Sequence, residues 1–267
     1  MIESAKTRYS DNFHFYSGDM FIGHSIRHYG EYTQVEVDYM SPYINKDSVI
    51  FDIGANIGYH STAFATLGKE VHSFEPNNKN FALLEQNMEK FTNAYLYNCA
   101  ASFQDGEAFI SDYSLDQDGN YGKCEMAPDG QPCKTFKLDS LNIPTPDLIK
   151  IDVEGHELHV IVGAGNIIAQ HKPVIFYESM GGEGYDTIYD FLTGLGYTIY
   201  WTHSYNYNQN NFYGNDTNIF VNSGVTNCLA VPADKPQPDL PLMLSRDEKS
   251  EDYVARMVAQ GKMKVRT

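Results

Sequence analysis

Two short stretches hold most of the polar residues whose types and spacing could do chemistry. "FDIGANIGYH" (51–60) sets Asp52 before Gly54 and Asn56 between Gly54 and Gly58, directly after an apolar run. "IDVEGHE" (151–157) supplies three acidic side chains and a histidine. Glycine lets the backbone approach a ligand closely, while carboxylates and imidazoles bind polar groups and move protons. The first stretch predicts a ligand-binding turn and the second a catalytic or positioning cluster.

Both stretches follow strands in a regular alternation of strands and helices. The pattern predicts strands at 48–53, 70–75, 94–98, 148–153, 173–178, 197–201 and 228–232, and helices at 58–67, 77–91, 157–162 and 185–195. Such alternation implies right-handed crossovers and a mostly parallel sheet of seven strands with helices on both faces. Ligands bind such α/β sheets beyond the carboxyl ends of the strands, where both stretches are expected to lie.

The alternation also sets the predicted domain organisation. We expect an N-terminal lead-in segment at 1–47, one catalytic domain at 48–232 and a C-terminal extension at 233–267. The extension begins with a proline-rich break and is expected to end in a helix at about 247–260.

Three segments depart from the alternation. Residues 104–137 are rich in glycine and proline and predict a hairpin plus a long surface loop, of the kind that often covers enzyme sites. Residues 202–218 are rich in Tyr and Asn. This composition predicts a glycan-binding wall, in which aromatic rings stack on sugar faces and amides form hydrogen bonds with sugar hydroxyls. Residues 31–44 predict an amphipathic helix whose inward residues are Val35, Tyr39 and Met40.

Composition narrows the class of partner. The chain of 267 residues has a formal net charge of −16, and its 19 Lys and Arg are scattered. Phosphate contacts need clustered cations, so we expect no nucleic-acid partner. No apolar run reaches the roughly 20 residues that span a bilayer. The first residues lack the apolar core of a secretory signal, so we expect a cytoplasmic protein.

The cysteines agree with that expectation. Cys99, Cys124, Cys133 and Cys228 show neither C-x-x-C nor zinc-finger spacing. Cys124 and Cys133 could pair across a loop, but free thiols are the preferred interpretation in a cytoplasmic protein. The single sequon, at Asn215, is then accidental.

The glycine turn fits phosphate ligands poorly. A dinucleotide fingerprint that starts at Gly54 needs glycines where the chain has Asn56 and Tyr59. A P-loop needs a lysine that closes the turn, and the segment 49–68 contains neither Lys nor Arg. S-adenosylmethionine, which carries no phosphate, fits better.

The residues around the turn match the parts of that methyl donor. Gly54 and Gly58 would admit its methionyl part, and Asp52 or Asn56 would receive its polar head. Glu75 ends the second predicted strand, where a carboxylate can accept hydrogen bonds from both ribose hydroxyls. The small residues of "NCAAS" (98–102) would form a slot for the adenine.

These motifs resemble a known family. "VIFDIGANIGYHSTAFA", "VHSFEPNNKNFALLEQN" and "LIKIDVEGHELHVIVGA" are similar, in this order and at these separations, to the FkbM-type S-adenosylmethionine-dependent methyltransferases. The resemblance covers roughly 30–232 and implies a class I, Rossmann-like methyltransferase fold and, most often, O-methylation of a sugar or small metabolite. With the slot, it predicts a donor-binding set of Asp52, Gly54, Ala55, Asn56, Gly58, Glu75, Asn98 and Ala100.

The second stretch supplies the candidates for catalysis. A sugar hydroxyl is a weak acid, so a base is useful, and Asp152, Glu154 or His156 could serve. The simpler alternative is that Glu154 and Glu157 favour the start of the next helix, and that His156 is an exposed turn residue.

A divalent metal is a further hypothesis. Asp152 and Glu178 would close neighbouring strands, and their oxygens would suit Mg²⁺. Two ligands are weak support, so the preferred prediction has no metal.

The sequence thus favours an S-adenosylmethionine-dependent O-methyltransferase acting on a saccharide or small metabolite. The alternatives are an N-methyltransferase, a donor-binding module without catalysis, and an NAD-dependent oxidoreductase. A homo-oligomer is an open possibility.

Overall fold

A computed structural model describes residues 1–179, 184–221 and 223–263. Its strands are β1 (Ile2–Ala5), β2 (Phe13–Tyr16), β3 (Val49–Ile53), β4 (Glu70–Phe74), β5 (Ala94–Tyr97), β6 (Ala100–Ala101), β7 (Gly106–Ile110), β8 (Met126–Ala127), β9 (Gln131–Phe136), β10 (Leu148–Ile151), β11 (Val174–Glu178), β12 (Tyr197–Tyr205) and β13 (Gly224–Pro232). Its helices are α1 (Ile22–Tyr29), α2 (Gln34–Met40), α3 (Tyr59–Leu67), α4 (Asn78–Met88), α5 (Glu157–Gly163), α6 (Gly165–His171), α7 (Tyr185–Gly194) and α8 (Ser250–Ala259), with short 3₁₀ turns at Ser41–Tyr43 and Leu138–Ser140.

The centre of the described chain is a seven-stranded sheet of order β12-β13-β11-β10-β3-β4-β5. The strands from β11 to β5 pair in parallel, while β13 runs antiparallel to both of its neighbours. The predicted mostly parallel α/β sheet is confirmed in this mixed form. Because β13 returns alongside β12 over nine paired residues, both strands are longer than the sequence indicated.

Alternate residues of the strands build two separate cores. Phe51 and Ile149 pack with residues of α5, α6 and α7 on one face of the sheet. Ile50 and Leu148, one position earlier in each strand, pack with Phe64 of α3 and residues of α4 on the other. This period-two alternation confirms that helices cover both faces, as expected when parallel strands are joined by crossovers.

The flanking segments share the cores of the central region. Phe13 of β2 and Ile26 of α1 pack against Tyr59 and Leu83, on the side of α3 and α4. The sequence pattern predicted this part only as a lead-in segment and did not predict α1. At the other end, α8 lies within the predicted terminal helix, and its Tyr253 stacks on Trp201 with ring centroids 5.4 Å apart.

The helix predicted at 31–44 is shorter and is turned differently. It runs from Gln34 to Met40 and continues as a 3₁₀ turn, since proline follows at the second residue of that turn. Met40 is buried as predicted, but Val35 is only half-buried, and Val37 and Glu36 take the buried positions. A buried glutamate needs polar partners, and these lie at the site described below.

The segment 104–137 is more ordered than predicted. In place of a single hairpin it builds most of a four-stranded sheet of order β6-β9-β7-β8. The long loop lies within it, between β7 and β8, and crosses over the ends of the central strands. Pairing with the two-residue strand β6 decides this arrangement, and so short a strand carries almost no local pattern.

Two sequence expectations concern the chain as a whole. All four cysteines are free thiols, which confirms the preferred interpretation over a disulfide between Cys124 and Cys133. Across the described residues, we find no helix with the length and apolar character needed to cross a bilayer.

Candidate active site

A cavity of about 340 Å³ opens beyond the carboxyl ends of the central parallel strands. The turn after β3, the end of β4 and the turn after β10 all line it, so both chemically promising stretches meet there. This is where an α/β sheet is expected to bind its ligand. A volume of this size suits a small-molecule site.

The glycine turn is held tightly between two strands. Gly54 has a φ of 77°, and its N–H and that of Ala55 each donate to the carbonyl of Phe74 at 3.0 Å. A Cβ on Gly54 would lie 1.8 Å from the carbonyl oxygen of Asp152. Gly54 is therefore required both for its left-handed conformation and for the close approach of the two turns.

Replacing Gly54 with alanine is expected to lower the free energy of unfolding by about 2–3 kcal/mol. The new methyl group must push the two turns apart, and alanine is strained at the left-handed φ of this position. Chemical denaturation measures the change. Gly165→Ala is the matched control, since its Cβ would meet no atom within 4 Å, and it should shift stability by less than about 0.5 kcal/mol. Equal stability of the two variants would contradict the packing described here.

Glu75 closes the next strand and faces the cavity. One carboxylate oxygen accepts the N–H of Asn56 and the other that of Asn77, each at 2.8 Å. Burial raises the pKa of Glu75 to about 7, against the lowering effect of those two hydrogen bonds. Asn56 itself adopts a left-handed φ of 52°, which presents its N–H to the carboxylate. Glu75 thus shapes the turn from a position in the cavity wall.

Asp52 takes a position that the sequence did not indicate. Its carboxylate is fully buried behind the cavity wall, where it accepts a hydrogen bond from Ser61 at 2.6 Å and lies 3.1 Å from the ammonium of Lys150. It does not line the cavity in the described chain. A contribution of Asp52 to donor binding stays a prediction, and in this geometry it acts through the residues it holds.

Lys150 is the functional residue that the sequence reasoning missed. Its ammonium donates to the carbonyl of Gly54 at 3.0 Å and lies between the carboxylates of Asp52 and Asp152, 3.4 Å from the latter. Burial alone would lower the pKa of Lys150, but the two carboxylates raise it above its ordinary value. A signal was present, because a lysine inside the apolar strand "LIKI" must find buried partners.

The predicted adenine slot is only partly as expected. Ala100 is buried and lines the cavity together with Cys99. Asn98 is exposed outside it, and its amide donates to the carbonyl of Glu75 at 3.0 Å. Asn98 therefore connects the end of β5 to the end of β4. Ala55 and Gly58 lie in the cavity wall, as their place in the turn implies.

The loop between β7 and β8 forms the roof of the cavity. Asn120, Gly122, Lys123 and Cys124 of this loop line the cavity, as does Met126 at the start of β8. The prediction that this long segment covers a site agrees with the structure. The loop is fastened to the domain by Asn80, whose amide donates to the carbonyl of Tyr121.

The acidic stretch after β10 divides into separate roles. Asp152 is half-exposed, lines the cavity and pairs with Lys150. Glu154 lines the cavity from a left-handed turn with φ 51°. Burial, and then the nearby charge of Asp152, raise the pKa of Glu154 to about 7. A carboxylate with that pKa accepts a proton well at neutral pH.

His156 and Glu157 are more strongly tied to the protein. The Nε2 of His156 lies 2.9 Å from the hydroxyl of Ser102, and its ring stacks on His159 with centroids 4.2 Å apart. Burial, together with the neighbouring His159, lowers the pKa of His156 to about 4, which makes it a weak base. Glu157 lies in the first turn of α5, as the helix-start alternative supposed, and it also accepts the N–H groups of Gly155 and Val153 in the preceding turn.

Glu178 and Asp152 both reach the cavity, as the metal hypothesis requires. Within residues 1–179, 184–221 and 223–263, however, no three His, Cys, Asp or Glu side chains are grouped so as to hold a metal ion. Burial, and then the charges of Asp152 and Glu154, raise the pKa of Glu178 to about 9. Asp152, Glu154 and Glu178 thus place three acidic groups in the wall of one cavity.

The loop 202–218 contributes less than predicted. Of its residues, which are all described, Asn206 alone lines the cavity. The other polar groups fasten the loop to the N-terminal segment: the amide of Asn208 donates to Glu31 at 2.7 Å, and the Tyr213 hydroxyl donates to the carbonyl of Lys6 at 2.6 Å. The wall on this side is built instead by the start of β13, at Val225 and Asn227.

The glycine turn, the acid that follows β4 and the cavity at the strand ends define an α/β fold with a site of the kind that suits nucleoside-type ligands. Residues 52–199 match the family model described as the methyltransferase FkbM domain, which is more than half of the chain. The protein belongs to the FkbM methyltransferase family, as the resemblance of its motifs indicated.

Individual relatives are more distant. The chain is 30% identical over 136 residues to the hexuronic acid methyltransferase AglP of Haloferax volcanii, a match that covers 49% of this chain and 55% of that protein. The chain thus spans about half the length of this curated relative. Among solved structures, methyltransferase FkbM of Methylobacillus flagellatus aligns with TM-score 0.47 and 16% identity over 69% of this chain and 43% of that one. Precorrin-6y C5,15-methyltransferase of Geobacter metallireducens aligns with TM-score 0.44 and 18% identity over 74% and 87%.

Proposed function

We propose that this protein is a class I methyltransferase that transfers a methyl group from S-adenosylmethionine to a hydroxyl oxygen of a sugar or glycan. Family membership supports the transfer of a methyl group. The single observation that carries the oxygen acceptor is the position of Glu154 in the cavity wall, where its carboxylate, with a pKa raised to about 7, can accept a proton. A saccharide acceptor is supported by the hexuronic acid methyltransferase among its relatives.

The residues present fit the donor. Glu75 keeps acceptor lone pairs for ribose hydroxyls, the Gly54 turn admits close backbone contact, and Ala100 leaves room for a flat base. The lysine beside the turn, Lys150, is committed to two carboxylates, so it is not free to bind a phosphate. This favours a methyl donor over a dinucleotide.

The chemistry asks little of the protein beyond alignment and proton removal. When bound, the donor supplies an electrophilic methyl group on a positively charged sulfur. Glu154 accepts the acceptor's hydroxyl proton as the oxygen–carbon bond forms and the carbon–sulfur bond breaks. Lys150 holds Asp152 and the Gly54 carbonyl in fixed positions, so that donor and acceptor meet in line. We assign His156 a structural role at the start of α5.

Calorimetry tests the donor and separates the rival functions. S-adenosylmethionine and S-adenosylhomocysteine should bind, and NAD should not; the reverse pattern would support an oxidoreductase. Transfer of a labelled methyl group to a panel of sugars then tests catalysis. The position of the label in the product separates O- from N-methylation, and binding without transfer to any acceptor would favour the inactive-module alternative.

Exhaustive chelation tests the metal hypothesis. Full turnover after chelation would contradict a requirement for a divalent metal.

Replacing Glu75 with glutamine is expected to weaken S-adenosylmethionine binding by about tenfold, because an amide nitrogen would face one of two backbone N–H groups and a charged acceptor would be lost. Calorimetry measures the dissociation constant. Glu89→Gln, an exposed change of the same type directly after α4, is the control and should bind normally. Unchanged binding by the Glu75 variant would remove this residue from the proposed donor site.

Three further properties stay predictions. They are a cytoplasmic location, the lack of a nucleic-acid partner and the possibility of a homo-oligomer. Cell fractionation, binding to labelled RNA and light scattering test them in turn.

A further inference from the structure

Part of the cavity wall is formed by α2, the end of β11 and the start of β13. Glu178 and Asn227 are direct partners in the antiparallel register of β11 and β13, so their side chains are neighbours on one face of the sheet. The amide of Asn227 donates to Glu36 at 3.0 Å, and the other oxygen of Glu36 lies 3.4 Å from the Nε2 of His60. Glu36, Glu178 and Asn227 are called here the acidic subsite.

Acceptor atoms in this subsite lack donors. The amide oxygen of Asn227 and one carboxyl oxygen of Glu178 are buried without a hydrogen-bond partner among the residues described. Asn227 is 6% exposed and Glu36 is 4% exposed, and both line the cavity. Buried polar atoms are nearly always paired in proteins, and leaving them unpaired is costly. The subsite is therefore built for a ligand that donates hydrogen bonds.

The charge of the cavity narrows that ligand. Five acidic side chains line it: Glu36, Glu75, Asp152, Glu154 and Glu178. Burial and the neighbouring acids raise the pKa of Glu178, so a cation beside it would favour its charged form. Of the described lining residues two are lysines and none is an arginine, and both lysines are already paired, Lys123 with Glu125 at 3.0 Å and Lys150 with Asp52. An acceptor with a carboxylate would add negative charge to this group. An ammonium would offset it and form charge-assisted hydrogen bonds.

We propose that the acidic subsite binds an ammonium group and that the acceptor is an amino sugar, anchored by its amine while one of its hydroxyl oxygens receives the methyl group. The choice of a sugar rests on the proposed function; the preference for positive charge rests on the subsite alone. The acceptor class thus differs from the hexuronic acid in the name of the Haloferax relative.

A matched set of sugars tests this preference by binding. The protein saturated with S-adenosylhomocysteine is titrated calorimetrically with glucosamine, glucose and glucuronic acid, at a pH at which the amine is protonated. Glucosamine is expected to bind about tenfold more tightly than glucose, and glucuronic acid more weakly than either. In Glu178→Gln the preference for glucosamine should fall to about twofold or less. Glu85→Gln, an exposed change on α4, should retain it.

Several outcomes would overturn the inference. They are glucosamine that binds no better than glucose, tighter binding of glucuronic acid, or a preference that survives in both Glu178→Gln and Glu36→Gln. Thermal unfolding shows that each variant is folded, and the second variant covers the failure of the first. Methyl transfer to glucose or glucuronic acid without an amine preference would overturn this inference alone. A failure to bind S-adenosylmethionine would instead overturn the proposed function.

Discussion

Replacing Lys150 with methionine is expected to lower the free energy of unfolding by about 3–5 kcal/mol, because it leaves the fully buried carboxylate of Asp52 without its cation. For a chain of this size that corresponds to a melting temperature lower by about 6–20 °C. The variant should also bind S-adenosylmethionine less well, since the Gly54 carbonyl and Asp152 lose the group that holds them. Thermal unfolding and calorimetry measure the two effects.

A double substitution separates the charge effect from the loss of packing. Asp52→Asn combined with Lys150→Met removes both buried charges, so the pair should be more stable than Lys150→Met alone by at least about 1 kcal/mol. Lys69→Met, at an exposed lysine, is the surface control and should change stability by less than about 0.5 kcal/mol. If Lys150→Met unfolded at the temperature of the parent, the buried ion pair could not have the role described here.

Replacing Glu154 with glutamine is expected to lower kcat by about 10²–10⁴-fold and to leave donor affinity nearly unchanged, because it removes the proton acceptor and not a donor contact. Steady-state transfer of a labelled methyl group measures kcat, and calorimetry measures the donor dissociation constant. Loss of both in equal measure would place Glu154 in the donor site instead.

The pH dependence gives this variant a sharper signature. Since a base must be deprotonated, kcat of the parent at saturating donor should rise as the pH rises through about 7 and then level off, in line with the raised pKa of Glu154. Saturation with donor removes the contribution of Glu75 to donor binding, since the pKa of Glu75 is also raised to about 7. The residual activity of Glu154→Gln should lack that rise. His156→Ala is the comparison: with a pKa lowered to about 4, His156 is already neutral there, so its loss should leave the rise in place. A rise that disappears with His156 and not with Glu154 would reverse the assignment.

Some features of the site depend on local sequence, and others depend on contacts between distant segments. The sequence alone determined the α/β alternation, the glycine turn and the placement of acids at strand ends, because these depend on local periodicity and on where parallel strands must end. The sequence therefore predicted correctly that Gly54, Glu75 and Asp152 lie together at the carboxyl ends of the strands, where they line the cavity. The matching family was visible for the same reason, since its motifs lie in these local stretches.

Only the tertiary structure decided what each acid does. Asp52 and Glu154 are both acids near the carboxyl ends of strands. Asp52 is buried beside Lys150, whereas Glu154 lines the cavity. The roof at 120–126, the buried Glu36 and the pairing of Glu178 with Asn227 likewise depend on segments far apart in the chain. Burial and the distance to neighbouring charges set the proton affinity of each carboxylate, and both are properties of the assembled fold.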